Sequence, residues 1–365
     1  MDILILTGKF GNGHWSASLS LREELLTQDP RSNVEVVDFF SYALDEGAAA
    51  VYKGFSLLVT HGSALYNVYY NLTQNIKRRN PDPLAILFSD KLAQLLAARR
   101  PDLLIATHPF CAQVISAYKA ETGDQVPLVT CVTDLSSHSE WVSPGTLAYL
   151  VGSPLIREAL IRKGIPPRSI LVTGIPVRAA FRAPRRKTGT GRRRLLIMGG
   201  GLGLMPRSDR FYEALDQLPD ADVTILTGSN EKLLRRLEGK YRHIEAVGFT
   251  DRVADYMASA DLLLSKPGGI TLFEAIFSEL PILAWAPFLQ QEINNAKFLI
   301  SAGIGAAAEK EPEACLNAIQ GLLYDDKALA AMRERMRSMK GQLEKESLSA
   351  LCQTLGQRER KGVCA

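Results

Sequence analysis

The sequence predicts an α/β chain of two doubly wound domains, and three observations lead there. Residues 3–6 are an apolar run that feeds a glycine-rich loop, Thr7-Gly8-Lys9-Phe10-Gly11-Asn12-Gly13-His14, and then a helical pattern over 15–26. A second strand, glycine turn and helix start stand at 261–264 and Ser265-Lys266-Pro267-Gly268-Gly269-Ile270-Thr271. Between them the strand–helix alternation breaks in a basic stretch, 182–194, with Pro184, Gly189 and Gly191 among its arginines, and restarts at 195. The resulting boundaries are an N-terminal domain over 1–181, an exposed linker over 182–194, and a C-terminal domain over 195–365 that ends in charged helices. At 365 residues the chain exceeds one ordinary core and suits two.

In the first domain, the run at 3–6 reads as a strand buried on both faces. The loop after it is not a P-loop, because no Gly-Lys-Ser/Thr closes it, and it is not G-x-G-x-x-G. Its distinguishing feature is Gly13-His14 at the helix entrance, which puts an imidazole at the C-terminal edge of a parallel sheet, where open α/β sheets hold ligands. A helix N-terminus lowers a histidine pKa and favours the neutral form that a general base requires; the alternative is a histidine that only caps the helix. Residues 34–39 read as the next strand and 83–99 as helical. The stretch 42–80 between them carries Tyr42, Tyr52, Phe55, Tyr66, Tyr69 and Tyr70, then Lys77-Arg78-Arg79. It suits either a surface resting at a lipid interface or a buried helix pair with a solvated basic end. Strands over 102–107 and 126–133 end in His108-Pro109-Phe110 and in Asp134-Leu135-Ser136-Ser137-His138, so titratable groups gather at one sheet edge and a cleft is expected there. A strand–helix–strand pattern over 147–173 and then Gly174-Ile175-Pro176-Val177-Arg178 close this half.

In the second domain, a strand over 195–198 runs into Gly199-Gly200-Gly201, and a strand over 223–226 runs into Thr227-Gly228-Ser229. Another strand ends in Gly248-Phe249, and one over 281–285 precedes Leu289-Gln290-Gln291-Glu292. The turn at Pro267-Gly268-Gly269 makes an anion site: glycine lets a ligand approach the backbone, and free N–H groups at a helix start face negative charge. Glu274, one turn further on, can reach past phosphates to a ribose hydroxyl pair, so a nucleoside diphosphate fits better than a bare metal.

Composition excludes several classes. A net charge of +4 argues against a dedicated nucleic-acid binder, and five scattered cysteines without a C-x-x-C pair indicate neither zinc nor a disulfide framework. No apolar run reaches the roughly 20 residues that span a bilayer, and Met1-Asp2-Ile3-Leu4 opens a strand and not a signal peptide, so the expected setting is cytoplasmic with peripheral membrane contact at most. Asp220-Ala221-Asp222 has the form of a metal-holding Asp-x-Asp, but it precedes its strand and lies at the wrong edge; no metal site is expected, and no cofactor.

Read together, Gly11-Asn12-Gly13-His14, Pro101-Asp102 ahead of His108-Pro109, Val132-Thr133-Asp134 with Trp141, Gly174-Ile175-Pro176-Val177-Arg178, the Gly199–Gly201 turn and Lys266-Pro267-Gly268-Gly269-Ile270-Thr271-Leu272-Phe273-Glu274-Ala275 are a specific signature. With it, nearly the whole chain resembles the processive diacylglycerol glucosyltransferases and monogalactosyldiacylglycerol synthases, and more distantly the peptidoglycan lipid N-acetylglucosaminyltransferase. The resemblance implies a GT-B fold, two Rossmann-like domains facing across a cleft, and metal-independent inverting transfer of a hexose from UDP-glucose or UDP-galactose to diacylglycerol or a related lipid at the inner face of the cell membrane. It implies His14 as the base, with Asp134 near it, and Gly11, Asn12, Gly13 and His108 on the acceptor side. On the donor side it implies Gly248-Phe249 for the uracil, Gly268, Gly269 and Thr271 for the diphosphate, Glu274 for the ribose and Gln291-Glu292 for the sugar hydroxyls, with Gly200, Gly201 and Ile270 in the same set. One departure stands out: the family's Pro-Gly before Gln-Glu is Leu289-Gln290 here. A nucleotide-sugar epimerase and a non-enzymatic UDP-sugar sensor are the alternatives, the first disfavoured by the aromatic stretch and the second by the presence of His14 and Asp134.

Overall fold

In the computed structural model the apolar runs are the strands of two separate parallel sheets. The structure describes residues 1–10, 12–61, 63–74, 82–183, 191–200, 205–206, 208–285, 287 and 289–343. The chain divides into one compact unit of Met1–Arg178 and another of Ala179–Phe288 with Glu292–Gly341; Leu289–Gln291, Gln342 and Leu343 group with the first.

The first unit runs β1 (Asp2–Thr7), α1 (Asn12–Gln28), β2 (Asn33–Asp38), α2 (Phe39–Leu44), α3 (Gly47–His61), α4 (Ser63–Thr73), α5 (Pro83–Ile86), α6 (Ser89–Arg99), β3 (Leu103–Ala106), α7 (Pro109–Thr122), β4 (Leu128–Cys131), β5 (Ala148–Val151), α8 (Pro154–Arg162) and β6 (Ile170–Val172). Its strand order is β2-β1-β3-β4-β5-β6. Alternate side chains of β1 feed different cores. Leu4 and Leu6 pack with α2, α6 and α7 residues such as Phe39, Leu92 and Val114, while Ile3 and Ile5 pack with Leu21 and Leu25 of α1. A sheet buried on both faces needs continuous apolar strands, which is why these runs are unbroken. Each such Leu or Ile is worth roughly 1.5–3 kcal/mol of burial.

The second unit runs β7 (Arg193–Met198), α9 (Asp209–Asp216), β8 (Ala221–Gly228), α10 (Glu231–Leu237), β9 (Ile244–Gly248), α11 (Val253–Ser259), β10 (Leu262–Ser265), α12 (Gly269–Phe277), β11 (Ile282–Trp285), α13 (Gln290–Ser301), β12 (Gly305–Ala308), α14 (Pro312–Leu323) and α15 (Asp326–Leu343). The order is β12-β11-β10-β7-β8-β9. Leu195, Ile197, Val223, Ile225, Leu262 and Leu264 pack against Phe211, Leu215, Leu237, Ile319 and Leu323.

Strand order fixes where ligands can enter. In the first sheet the chain goes outward from β1 to β2 and returns to β3 on the other side of β1; in the second it goes from β7 through β8 to β9 and returns to β10 on the other side of β7. These reversals, β1/β3 and β7/β10, are the switch points at which helices diverge to opposite faces and leave a crevice beyond the strand ends.

The expected linker over 182–194 is corrected at both ends. Ala179–Arg182 form a 3₁₀ turn of the second unit, with Phe181 buried and the Arg182 guanidinium 4.0 Å over the Phe277 ring. Arg193 and Arg194 are in β7, and Arg192 donates to the Asp222 carboxylate (2.9 Å) and to the Ala221 carbonyl (2.7 Å). Charge in this stretch is therefore partly consumed by ion pairing within the second unit. Residues 184–190 lie outside the described residues.

Candidate active site

His14 is two residues into α1, directly beyond β1, and His108 is the residue that caps α7, directly beyond β3. They thus stand on the two strands that flank the first switch point, and their rings meet edge to face with centroids 4.7 Å apart. His14 Nδ1 is 2.9 Å from the Thr107 carbonyl and 2.8 Å from Thr133 Oγ1. A carbonyl can only accept, so Nδ1 carries the proton and Nε2 is left with its lone pair. Beneath the ring a buried hydroxyl chain holds Thr107 in place: Ser18 Oγ is 2.7 Å from Thr107 Oγ1, which donates to Thr7 Oγ1 at 2.8 Å. The arrangement presents a fixed neutral imidazole that can take a proton at Nε2.

Burial holds the His14 pKa below the ordinary 6.5, against the opposing pull of the Asp134 charge and of the Thr107 carbonyl. The sequence reading attributes this depression to the helix end; in the structure the first cause is desolvation. His108 is pushed further down, by burial and then by its neighbour His14. Asp134 is close enough for its charge to act on His14, and its carboxylate accepts from the Trp141 indole N–H at 3.2 Å. Asn12 is exposed and Gly13 half-buried at the start of α1, whereas Gly11 lies outside the described residues.

His138, which the sequence groups at the same edge, turns elsewhere. Its Nδ1 accepts from the Glu140 amide at 3.2 Å, and its Nε2 lies 3.1 Å from the Tyr70 carbonyl on α4. It is buried and joins α4 to the loop after β4. Tyr70 Oη reinforces this, donating to Ser136 Oγ at 2.5 Å.

Of the two readings of 42–80, the described aromatics follow the buried one. Phe55 packs on Phe10 (5.0 Å), Tyr52 donates to Asp38 (2.5 Å), and Tyr70 is buried. Several aliphatic side chains point outward here and just beyond: Val51, Leu57, Leu58, Val68, Leu72, Leu84, Ile86 and Leu87 are exposed, Leu72 and Leu87 each at 75%. The hydroxyls of Tyr52 and Tyr70 find partners in the interior. The side chains of Tyr66 and Tyr69, and residues 77–79, lie outside the described residues.

In the second unit the switch point gathers the β7 and β10 ends. Gly200 follows β7 with φ +69°, a conformation natural to glycine, and Ser265 Oγ at the end of β10 donates to the Met198 carbonyl at 3.1 Å. Gly201 lies outside the described residues. Gly268 precedes α12 with no side-chain cap, so the amides of Gly269, Ile270 and Thr271 form an uncapped helix start. At Gly268 the backbone is ordinary (φ −67°) and an added Cβ would meet nothing nearer than Thr271 Oγ1 at 3.7 Å. The fold itself does not ask for glycine there. Glu274 is half-buried one turn along α12.

Glu292 is buried, with Oε1 3.3 Å from Lys266 Nζ, and Asn295 Nδ2 donates to the Pro267 carbonyl at 2.8 Å. This lashes α13 to the turn after β10. Burial lowers the Lys266 pKa, with Glu292 opposing. Gln291 groups with the first unit. Gly248 and Phe249 close β9, separated from β10 by β7 and β8, and Phe249 is 78% exposed. Asp220 and Asp222 are taken by Arg192, at 3.6 and 2.9 Å, and among the described residues no three His, Cys, Asp or Glu side chains gather as a metal site would need.

Comparison with known families accounts for nearly all of the chain. Residues 14–177 match the monogalactosyldiacylglycerol (MGDG) synthase family, and residues 194–349 match the glycosyltransferase family 28 C-terminal domain. Both halves of the chain thus match glycosyltransferase families, and the chain is a glycosyltransferase. Among curated proteins, the processive diacylglycerol β-glucosyltransferase of Staphylococcus carnosus is 28% identical over 93% of this chain and 88% of its own. The protein of that name from Bacillus pumilus is also 28% identical, over 92% and 90%. Among solved structures, MurG of Acinetobacter baumannii aligns over 94% of this chain and 98% of its own with a TM-score of 0.61 at 16% identity. The calicheamicin glycosyltransferase CalG4 aligns over 100% and 99% with a TM-score of 0.64 at 15%. At such identities the structures speak for the fold, which is GT-B, and the family for sugar transfer.

Several residues of the candidate site carry a part that sequence reading does not give. Thr107 and Thr133 orient His14 through a carbonyl and a hydroxyl, groups that every sequence offers in abundance. Lys266 and Asn295 are recognisable only once α13 is seen beside β10. The sole sequence signal for Thr133 is its place next to Asp134 at a strand end.

Proposed function

We propose that this glycosyltransferase moves a hexose from UDP-glucose or UDP-galactose to diacylglycerol, in one inverting displacement without a bound metal, while resting on the inner face of the cell membrane. The observation that carries the proposal is His14: a half-buried imidazole, its Nδ1 proton committed to Thr107 and Thr133, with the Nε2 lone pair presented at a switch point. The acceptor hydroxyl gives its proton to Nε2 as its oxygen bonds to the anomeric carbon. The bond from that carbon to the diphosphate oxygen breaks, and UDP leaves with the electron pair. The amides at the start of α12 meet the charge of the leaving diphosphate, with Glu274 on the ribose, Glu292 on the sugar hydroxyls and Phe249 at the uracil. Asp134 steadies the imidazolium as it forms.

The acceptor assignment draws support from the relatives, which are diacylglycerol glucosyltransferases by name, and from the match to MGDG synthases. Support for the membrane setting comes from the exposed aliphatic side chains on α3, α4 and α5; no helix among the described residues is long and apolar enough to cross a membrane. The test is transfer of radiolabel from UDP-glucose and UDP-galactose to diacylglycerol in mixed micelles with EDTA present. Label in the lipid fraction is expected from one of the two donors. Transfer that requires added divalent metal would overturn the metal-free step, and UDP binding without any transfer would overturn the acceptor.

A further inference from the structure

Three histidines of the first unit differ in which ring nitrogen is bonded, and one of them has a hydrogen to spare. His138 is satisfied at both ends, its Nδ1 accepting from the Glu140 amide and its Nε2 facing the Tyr70 carbonyl. His14 has its Nδ1 proton on Thr107 and Thr133. His108 is the reverse of His14. Its Nδ1 accepts from the Phe110 amide at 3.2 Å, as an N-cap, so in the neutral ring the proton is on Nε2. That N–H has no partner among the described residues, although the ring is held firmly between Phe10 (5.0 Å), Phe40 (5.2 Å) and His14 (4.7 Å).

We infer that His14 and His108 are a pair of imidazoles locked in opposite tautomers, in which His14 Nε2 takes the proton of the acceptor hydroxyl while His108 Nε2–H donates a hydrogen bond to an oxygen of the same acceptor. The inference rests on the proposed role of His14. The backbone enforces the pairing, since the Thr107 carbonyl fixes one ring and the Phe110 amide, three residues on, fixes the other. One short segment, the end of β3 and the start of α7, thereby dictates both protonation patterns. A neutral pair of this kind suits an acceptor that offers a second oxygen beside the attacking hydroxyl, as a glycerol ester does. Two imidazolium rings at this separation would repel, and burial already favours the neutral form of both.

Two measurements test it. In ¹⁵N-labelled full-length protein, long-range ¹H–¹⁵N correlations at neutral pH are expected to show His14 protonated at Nδ1 and His108 protonated at Nε2. The same tautomer at both rings, or a charged His108, would overturn the pair. In kinetics, with the acceptor that the transfer assay identifies, His108→Phe is expected to raise the acceptor KM about 3- to 10-fold, the worth of one hydrogen bond, with the donor KM unchanged. His108→Gln, whose amide N–H stands close to the imidazole Nε2–H, is expected to regain most of that affinity. An unchanged acceptor KM in His108→Phe, or no recovery with Gln, would remove His108 from acceptor binding. The role of His14 is read on its own, from an expected fall in kcat of about 10² or more in His14→Ala, so the two readings fail separately.

Discussion

A ring whose Nδ1 proton is bound to the Thr107 carbonyl accepts at Nε2 only while it is uncharged, and the burial of His14 keeps it so. Replacing His14 by Ala is expected to cut kcat by about 10² or more while donor KM stays near its original value, because the lost interaction exists mainly in the transition state. The pH dependence has a definite sign. The His14 pKa is below 6.5, so the acidic limb of the kcat/KM profile belongs below pH 6.5. Asp134 is what pulls that pKa upward, so Asp134→Asn is expected to move the limb to still lower pH, together with a drop in rate as the forming imidazolium loses its counter-charge. A limb that moves toward neutrality in this variant would show that Asp134 does not act through charge. The Trp141 indole, 3.2 Å from the carboxylate, still has an amide oxygen to bond in Asn, which leaves the geometry comparable.

At the start of α12 the question is why a glycine occurs at 268. Neither dihedral angle nor crowding demands it, since φ is −67° and the nearest atom to an added methyl is 3.7 Å away. Gly268→Ala is therefore expected to leave the melting temperature within a degree or so and to raise the donor KM, since under the proposed mode of donor binding the methyl would stand where the diphosphate approaches. A large drop in melting temperature would mean that the glycine serves the fold. For α3, α4 and α5 the exposed aliphatics set the expectation. Leu72→Asp with Leu87→Asp should weaken co-sedimentation with anionic vesicles and lower transfer to vesicle-borne acceptor, while transfer to a short-chain, water-dispersed acceptor is retained. Sequence alone yields much at this scale. The runs over 3–6, 102–107 and 261–264 are strands because a parallel sheet buries both faces and needs unbroken apolar residues. β12 is invisible in that way, being Gly305-Ala306-Ala307-Ala308, with no branched side chain to betray an edge strand. The helix expected over 83–99 breaks at Leu87-Phe88 into α5 and α6. For 42–80 the composition is legible but the facing is not. Whether a tyrosine points inward depends on Asp38 and Ser136, residues distant in sequence.

Over the whole molecule, three depressed histidines couple protonation to folding. The pKa values of His14, His108 and His138 all lie below 6.5, each chiefly through burial. As pH falls through 6.5 the unfolded chain takes up protons that the folded chain refuses, so these groups contribute full stability above that pH and lose it progressively below. While only the unfolded form is protonated, the loss approaches about 1.4 kcal/mol per pH unit for each histidine. Chemical denaturation between pH 7.5 and 5.5 is expected to show a midpoint that falls on acidification from about pH 6.5, and a flat midpoint would contradict the assignment.

The excursion of α3 and α4 is inserted in the first unit between α2 and α5, and among its described side chains Tyr52 joins the packing around the sheet core while Phe55 rests on Phe10. α4 is held at its end by directional bonds instead: Tyr70 to Ser136, His138 to the Tyr70 carbonyl, and Lys163 to the Gln74 carbonyl. A stretch fastened by a few polar clasps can be exchanged or lengthened without repacking either sheet. Selection can then alter which surface or lipid this half greets while the chemistry at the strand ends is inherited unchanged. The excursion is the part of the protein most open to evolutionary tinkering, and divergence among its relatives should concentrate there.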